Sequence, residues 1–235
     1  SGSSDLRKRF RDFCEENWYW LDDYALFFAL FDLHEGQVWN RWEIAIRHRE
    51  IDAVAYFTEK TPYEIQEHKF RQFLFYEQWG KVKKACNTKG IQIIGTVPLL
   101  VAFDSADVWA NQDLFFLDQD SNPSIIAGIP PDASNPTGQR WGYPLYRWDT
   151  IRKTGYQWWI DRLRTNLKLY DVIRLDHFNT LDAFWAIPTG QTTAEYGEWH
   201  RGPGVDFLHT VKNEIPNISF IAEDLGYTTP NLHQI

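Results

Sequence analysis

Hydrophobic positions recur every three or four residues through the first part of the chain, which predicts helices. Residues 5–34 contain two such runs, and the second stops at Gly36, a residue type that commonly ends helices. Residues 37–60 are more polar and predict a helical connection. A further helix is expected over residues 61–89, with Thr61 as its cap in a Thr-Pro-Tyr-Glu capping box.

Short apolar runs bounded by turn residues dominate the remainder of the chain and predict strands. They lie at residues 91–94, 172–178 and 218–222. Helices are expected at residues 156–169 and 205–214, between successive strands. Buried strands that alternate with helices are typical of a parallel α/β fold.

Two long connections separate these elements, at residues 102–149 and 179–204. They are rich in Pro, Gly, Asp and Trp and far exceed ordinary loops, so we expect them to be functional. Both are expected to leave the carboxyl edge of the sheet, where ligands bind in barrel and doubly wound α/β folds.

Charged residues stand at the ends of the last two predicted strands. Arg174 and Asp176 lie two residues apart, so they point to the same face, and the cation favours the ionised form of the carboxylate. Alone, such a pair is more often a structural salt bridge than a catalytic group. Glu223 ends the next strand, so two carboxylates are expected to face each other, as glycosidic bond cleavage requires.

Composition excludes several classes of function. The net charge of −8, with no cluster of Lys and Arg, argues against nucleic acid binding. The two cysteines do not make a disulfide framework, and no Cys/His spacing is typical of a metal site. No signal peptide or run of membrane-spanning length is present, so we expect a cytoplasmic protein. Aromatic residues reach 17%, with 12 Trp, and this fits either an aromatic core or a surface that stacks on sugars.

Seven motifs, in this order, carry a resemblance to a known family. They are AFDSADVWAN (102–111), AGIPPD (127–132), TGQRWGYPLY (137–146), IRLDHF (173–178), WAIPTG (185–190), GPG (202–204) and IAEDLG (221–226). Together they resemble the 4-α-glucanotransferases, the amylomaltase or disproportionating-enzyme family, over residues 17–230.

The resemblance implies a fold, a reaction and a set of partners. The fold would be a partial (β/α)8 TIM barrel with about three strand–helix units, the third to the fifth. Residues 1–235 would form one incomplete barrel module, with residues 1–90 a helical flank and residues 91–235 the strands with the catalytic carboxylates. The family transfers segments of α-1,4-glucans between maltooligosaccharides with retention of configuration, and it needs no metal or organic cofactor. A plant source would allow a plastid instead of the cytosol.

The resemblance also assigns roles to individual residues. Asp176 matches the nucleophile and Glu223 the general acid/base, whose pKa we expect burial and the nearby Asp176 to raise. Six further residues match positions that contact substrate: Arg174, His177, Asp104, Trp109, Asp132 and Trp141.

The sequence departs from the family pattern near the predicted cleft. The family usually has Asp at the position of Thr96, Tyr-Phe at Ala133 and Ser134, Arg at Asn179, and often Asn at Tyr143. These changes concern substrate binding more than the identity of the nucleophile.

Other observations suggest a piece of a longer protein or an engineered version of one. The chain has no Met, and it starts Ser-Gly-Ser-Ser. The third acid of the family, in a His-Asp pair beyond the fifth strand, is not among these residues, and the remaining barrel segments of the same enzyme would be further partners. Two alternatives to a glucanotransferase remain: a fragment or redesigned scaffold without activity alone, and a retaining α-glucan hydrolase.

Overall fold

The structure, a computed structural model, describes residues 2–223 and divides the chain into two compact units. The first unit comprises Ser1–Val82 and Asp104–Asn111, and the second comprises Lys83–Phe103 and Gln112–Ile235. Residues 224–226 of the IAEDLG motif lie outside the described residues.

The first unit is built from helices. They are α1 (Gly2–Leu33), α2 (Ile44–Arg47), α3 (Ile51–Lys60), the greater part of α4 (Pro62–Asn87) and α5 (Ala106–Ala110). Helix α1 ends where the sequence predicts, because the N–H of Gly36, at φ +79°, donates to Phe31 O at 2.9 Å. The predicted cap of α4 is wrong, since the Thr61 hydroxyl donates instead to Phe57 O at 2.9 Å.

Aromatic side chains hold α1 against α4. Phe10 meets Phe70 edge to face at 5.3 Å, and Phe13 lies 5.7 Å from Phe73. Most aromatic side chains of α1 therefore belong to a hydrophobic core. An aromatic core was one of the two explanations that composition left open, the other being a surface that stacks on sugars. Trp18 is the exception, because 65% of its surface is exposed.

The second unit contains two sheets of different kinds. The parallel sheet has the order β1 (Ile94–Pro98), β4 (Val172–Asp176), β7 (Phe220–Ala222). The antiparallel sheet has the order β3 (Gln139–Pro144), β2 (Ile125–Ile129), β5 (Ala183–Pro188), β6 (Glu198–Arg201). Among its described residues the unit also contains the C-terminal end of α4 and the helices α6 (Trp148–Lys153), α7 (Gln157–Leu169) and α8 (Gly204–Glu214). The chain thus has an α/β fold with parallel and antiparallel sheets among its helices.

The two faces of the parallel sheet have different roles. Val97, Ile173 and Leu175 are buried on one face, and α7 packs against β1 and β4. The alternate residues point to the other face, where Thr96 pairs with Arg174 across the strands. The hydrophobic alternation of β4 therefore decides which face carries the charged side chains.

The antiparallel sheet is absent from the sequence-based prediction. Both long connections contribute to it: β2 and β3 come from residues 102–149, and β5 and β6 come from residues 179–204. The apolar runs at Ile125–Ile129 and Ala183–Pro188 were the available signal, but the Pro and Gly around them favoured irregular structure. The first predicted strand is also displaced, since β1 begins at Ile94 and not at residue 91.

Candidate active site

A single guanidinium joins two carboxylates at the end of the parallel sheet. Arg174 Nη1 donates to Asp176 Oδ1 at 2.9 Å, and Arg174 Nη2 donates to Glu223 Oε1 at 2.6 Å. Such charge-assisted bonds are stronger than those between neutral groups. The two nitrogens belong to one planar group, so the carboxylates are held side by side.

Strand geometry explains why these residues meet. Asp176 ends β4 and Glu223 directly follows β7, whose Ala222 pairs with Leu175. The N–H of Glu223 donates to Leu175 O at 3.3 Å, which extends the pairing to the acids. Because the strands are parallel neighbours, their carboxyl ends lie at the same edge.

The backbone of His177 completes the setting of Glu223. His177 has φ +60°, in the left-handed region that non-glycine residues rarely adopt. This conformation ends the strand and directs the His177 N–H to Glu223 Oε2 at 2.8 Å. One oxygen of the Glu223 carboxylate therefore accepts from the Arg174 guanidinium and the other from the His177 backbone. Backbone strain of the kind found at His177 often occurs at functional sites.

The prediction that Glu223 has a raised pKa is wrong for this structure. The hydrogen bond from the His177 N–H is the largest influence on the pKa of Glu223 and lowers it. Desolvation opposes this shift, while the Asp176 carboxyl and the charge of Arg174 lower the pKa further. Sequence reasoning considered burial and the like charge, but it had no means to foresee a backbone donor.

Trp141, a predicted substrate contact, lies next to this group of residues. Its ring meets the His177 ring edge to face at 4.6 Å, and its Nε1 donates to Gln139 Oε1 at 3.0 Å. Strand β3 therefore brings an aromatic side chain to the edge where the two carboxylates stand. Arg174, Asp176, His177 and Glu223 are the other predicted site residues that the structure brings together here.

Asp104 and Trp109 lie in the first unit. Burial raises the pKa of Asp104, whose carboxylate accepts from the Trp39 N–H at 3.4 Å. Trp109 has no exposed surface, and its Nε1 donates to Ile46 O at 3.1 Å. Arg49 lies over the Trp109 ring at 4.3 Å. These contacts make Trp109 a core residue of the first unit, which does not fit the predicted contact with substrate.

Asp132 supports its own loop. Its Oδ1 accepts from Ser134 N at 2.7 Å, from Ser134 Oγ at 2.6 Å and from Asn135 N at 2.8 Å. The hydroxyl of Ser134 is the main reason that the pKa of Asp132 is lowered. Ser134, one of the departures from the family pattern, is thus a structural partner of a predicted site residue.

Thr96 is a contact that sequence reasoning treated only as a departure. Its Oγ1 lies 3.4 Å from Arg174 Nη1, on the same face as the carboxylates. The available signal was its place at the centre of β1, opposite Arg174.

Metal-binding clusters and membrane-spanning helices are both absent from residues 2–223. Within residues 2–223, no group of three or more His, Cys, Asp or Glu side chains is arranged to hold a metal ion. No helix in that part of the chain is long and apolar enough to cross a bilayer.

Comparison with known proteins identifies the family of the chain. The family model described as 4-alpha-glucanotransferase, of glycoside hydrolase family 77, matches residues 1–235. The 4-alpha-glucanotransferase of Thermus thermophilus is 42% identical over 233 residues, which are 99% of this chain and 47% of that protein. The protein of the same name from a Synechocystis strain is 40% identical over 98% of this chain and 46% of its own length.

A solved structure agrees with these relatives. The amylomaltase from Streptococcus agalactiae in complex with acarbose has a TM-score of 0.92 and 37% identity, covering 97% of this chain and 46% of that one. The chain spans about half the length of the relatives that it matches. With the family model matching throughout, the chain belongs to the 4-α-glucanotransferase family.

Proposed function

We propose that this chain carries part of the catalytic site of a 4-α-glucanotransferase, in which Asp176 is the nucleophile and Glu223 the general acid/base. The observation that carries the proposal is the Arg174 guanidinium between the two carboxylates, 2.9 Å from one and 2.6 Å from the other. Membership of the family supports the reaction, and the name 4-alpha-glucanotransferase that its relatives bear supports transfer of α-glucan segments.

In the first step, Asp176 attacks the anomeric carbon and forms a covalent glucosyl ester, while the bond to the leaving glucan breaks. Glu223 gives its proton to the leaving oxygen. In the second step, Glu223 takes the proton from a hydroxyl of an acceptor glucan, and that oxygen displaces Asp176. Donor and acceptor are α-1,4-glucans or maltooligosaccharides.

The spacing of the strands supports retention of anomeric configuration. Neighbouring parallel strands lie about 4.8 Å apart, so acids at matching positions are close. Retaining glycosidases hold their carboxyl groups about 5 to 5.5 Å apart, whereas inverting enzymes leave more room for a water molecule.

The state of Glu223 in this structure suits the second step. Its lowered pKa favours the carboxylate, which is the form that removes a proton. For the first step, a bound glucan that excludes water around Glu223 would raise its pKa and favour the acid.

We further propose that the parallel sheet is part of a (β/α)8 barrel. Strands β1 and β7 are the two edges of the sheet among the described residues. Ile94 and Ile221, on the face that carries the acids, are 56% and 41% exposed. Further strands of the same enzyme would cover these apolar side chains. They would also bring the remaining contacts with substrate. The complete enzyme would be cytoplasmic or plastidial.

The test is an Asp176→Asn substitution, made both in this chain and in the protein extended to the relatives' full length. We expect the extended wild-type protein to convert maltotriose to glucose and longer maltooligosaccharides. The substitution should reduce this rate by on the order of 10⁴-fold or more, because the attacking carboxylate is gone. Asp149→Asn is the matched control, since Asp149 is 92% exposed and pairs only with Arg152 at 3.4 Å in the described contacts.

Product analysis separates the alternatives. Transfer conserves the number of reducing ends, whereas a hydrolase would increase it. If only the extended protein is active, this chain is a catalytically incomplete fragment. Near-normal turnover by folded Asp176→Asn would overturn the assignment of the nucleophile.

A further inference from the structure

The Arg174 guanidinium has three side-chain hydrogen-bonding partners on its face of the parallel sheet, and one of them carries no charge. Asp176 and Glu223 each accept a short hydrogen bond from the guanidinium. Thr96, paired with Arg174 in the strand register, has its hydroxyl 3.4 Å from Nη1. That distance is beyond the usual N–H···O range of about 2.7 to 3.2 Å, so the hydroxyl competes weakly for this donor.

The charge balance of this group depends on the residue at position 96. With both acids ionised, one guanidinium faces two carboxylates, which leaves a local charge of −1. A third carboxylate at position 96 would make this −2 and would offer Nη1 a second anionic acceptor. Thr96 is exposed on β1, so the position has room for such a side chain.

We propose that Thr96, because it is uncharged, leaves the Arg174 guanidinium to the two carboxylates. Because it presents only a neutral, weakly bound hydroxyl, Nη1 stays on Asp176 and Nη2 stays on Glu223. The guanidinium therefore holds the two carboxylates together and keeps Glu223 in its ionised form. The catalytic meaning of this arrangement rests on the proposed function, but the arrangement itself does not.

Other charged groups near Glu223 are few. Those that influence its ionisation among the described residues are Arg174 and Asp176 on β4 and His177, which follows that strand. Strand β1 contributes no charged side chain between Ile94 and Pro98. An acid introduced at position 96 would therefore be the only charged side chain of β1.

The experiment is a carboxyl ¹³C NMR titration of the chain labelled in its Glu side chains, with Glu223 assigned from a Glu223→Gln variant. Thr96→Asp should raise the titration midpoint of Glu223 by about one pH unit, because it competes for Arg174 and adds negative charge. Thr96→Asn has nearly the same shape without the charge, and Thr96→Val removes only the hydroxyl. Both should move the midpoint by less than about 0.3 pH unit.

Two further measurements show whether the effect passes through Arg174. Arg174→Gln in the Thr96 chain should raise the Glu223 midpoint at least as much as Thr96→Asp, and it provides a test if the Asp variant does not fold. In the Arg174→Gln background, Thr96→Asp should produce less than half its shift in the unmodified chain.

Equal midpoints for Thr96→Asp and Thr96→Asn would overturn the proposal, and so would an Arg174→Gln midpoint that does not rise. In the extended protein, Thr96→Asp should also move the acidic limb of the pH profile for glucan transfer upward. A merely structural role would lower the rate without moving that limb. If the wild-type protein transfers no glucan, the proposed function fails while the titration still decides the role of Thr96.

Discussion

A methyl group added to Gly95 should destabilise the second unit. Gly95 is the second residue of β1, and the ring of Tyr170, the C-cap residue of α7, lies against it. A Cβ at Gly95 would lie 2.0 Å from Tyr170 Cδ2, 2.1 Å from Cγ and 2.4 Å from Cε2. Because Cγ is the root of the ring, rotation of the ring about its own axis cannot relieve the contact.

The size of the effect follows from overpacking. Either Tyr170 leaves its rotamer or β1 moves away from β4, and such rearrangements typically cost about 1 to 3 kcal/mol. We expect Gly95→Ala at the upper end of this range, about 2 to 3 kcal/mol, because three ring atoms clash at once. Ala suits a strand better than Gly by roughly 0.5 to 1 kcal/mol, which offsets part of this cost.

Gly80 provides a control of opposite sign. It lies within α4, and a Cβ there would meet nothing within 4 Å. Gly80→Ala should therefore stabilise the helix by about 0.8 to 1 kcal/mol. The two substitutions are chemically identical and differ only in what surrounds the added methyl group.

The assay is urea unfolding followed by circular dichroism and Trp fluorescence. Gly80 belongs to the first unit and Gly95 to the second, so if the units unfold separately each variant should move its own transition. Adding Tyr170→Ala to Gly95→Ala should recover part of the lost free energy of unfolding relative to Tyr170→Ala alone. A cost below about 0.5 kcal/mol for Gly95→Ala, or a loss of stability in Gly80→Ala, would contradict the reasoning.

Two further predictions concern stability. Burial and a hydrogen bond to Asp206 raise the pKa of Tyr156 to about 12. The tyrosine therefore stabilises the folded chain fully at pH values below its unfolded pKa of about 10. This stabilisation is lost as the pH rises to about 12. Thermal melts should show a shallower loss of stability over that window in Tyr156→Phe, whereas Tyr196→Phe, which alters an exposed ring, should match the wild type. Asp171→Ala should destabilise the second unit by about 1 to 3 kcal/mol, because Oδ2 accepts from Ile93 N and from an Asn87 amide, both at 2.8 Å. Hydrogen exchange at the Ile93 amide should accelerate in that variant, and unchanged exchange would count against the assigned contact.

Local pattern was sufficient for much of the second unit. The alternation of Val172 to Asp176 correctly predicted a strand with Arg174 and Asp176 on one face, and the structure joins them at 2.9 Å. The expected pairing with an acid from the next strand follows from the same parallel order. These features depend on residue spacing along one strand and on how parallel strands align, both of which the sequence encodes directly.

The long connections were harder to predict because their order comes from distant partners. Strand β2 pairs with β5, about sixty residues later, and neither strand is long enough to be distinctive by its own pattern. The burial of Trp109 has the same origin, since its position depends on Ile46 and Arg49 from other parts of the first unit. Sequence motifs identified this tryptophan but could not say which way it faces.

The sequence by itself determined the family, the two acids and the strands that carry them, because these depend on short motifs and local periodicity. Only the tertiary structure decided the state of Glu223. Its pKa is lowered because His177, at φ +60°, directs a backbone N–H to it, and because one guanidinium reaches both acids. The hydrogen bonds that Glu223 accepts from the His177 N–H and from the Arg174 guanidinium form only when strands far apart in sequence come together. No residue pattern could specify them in advance.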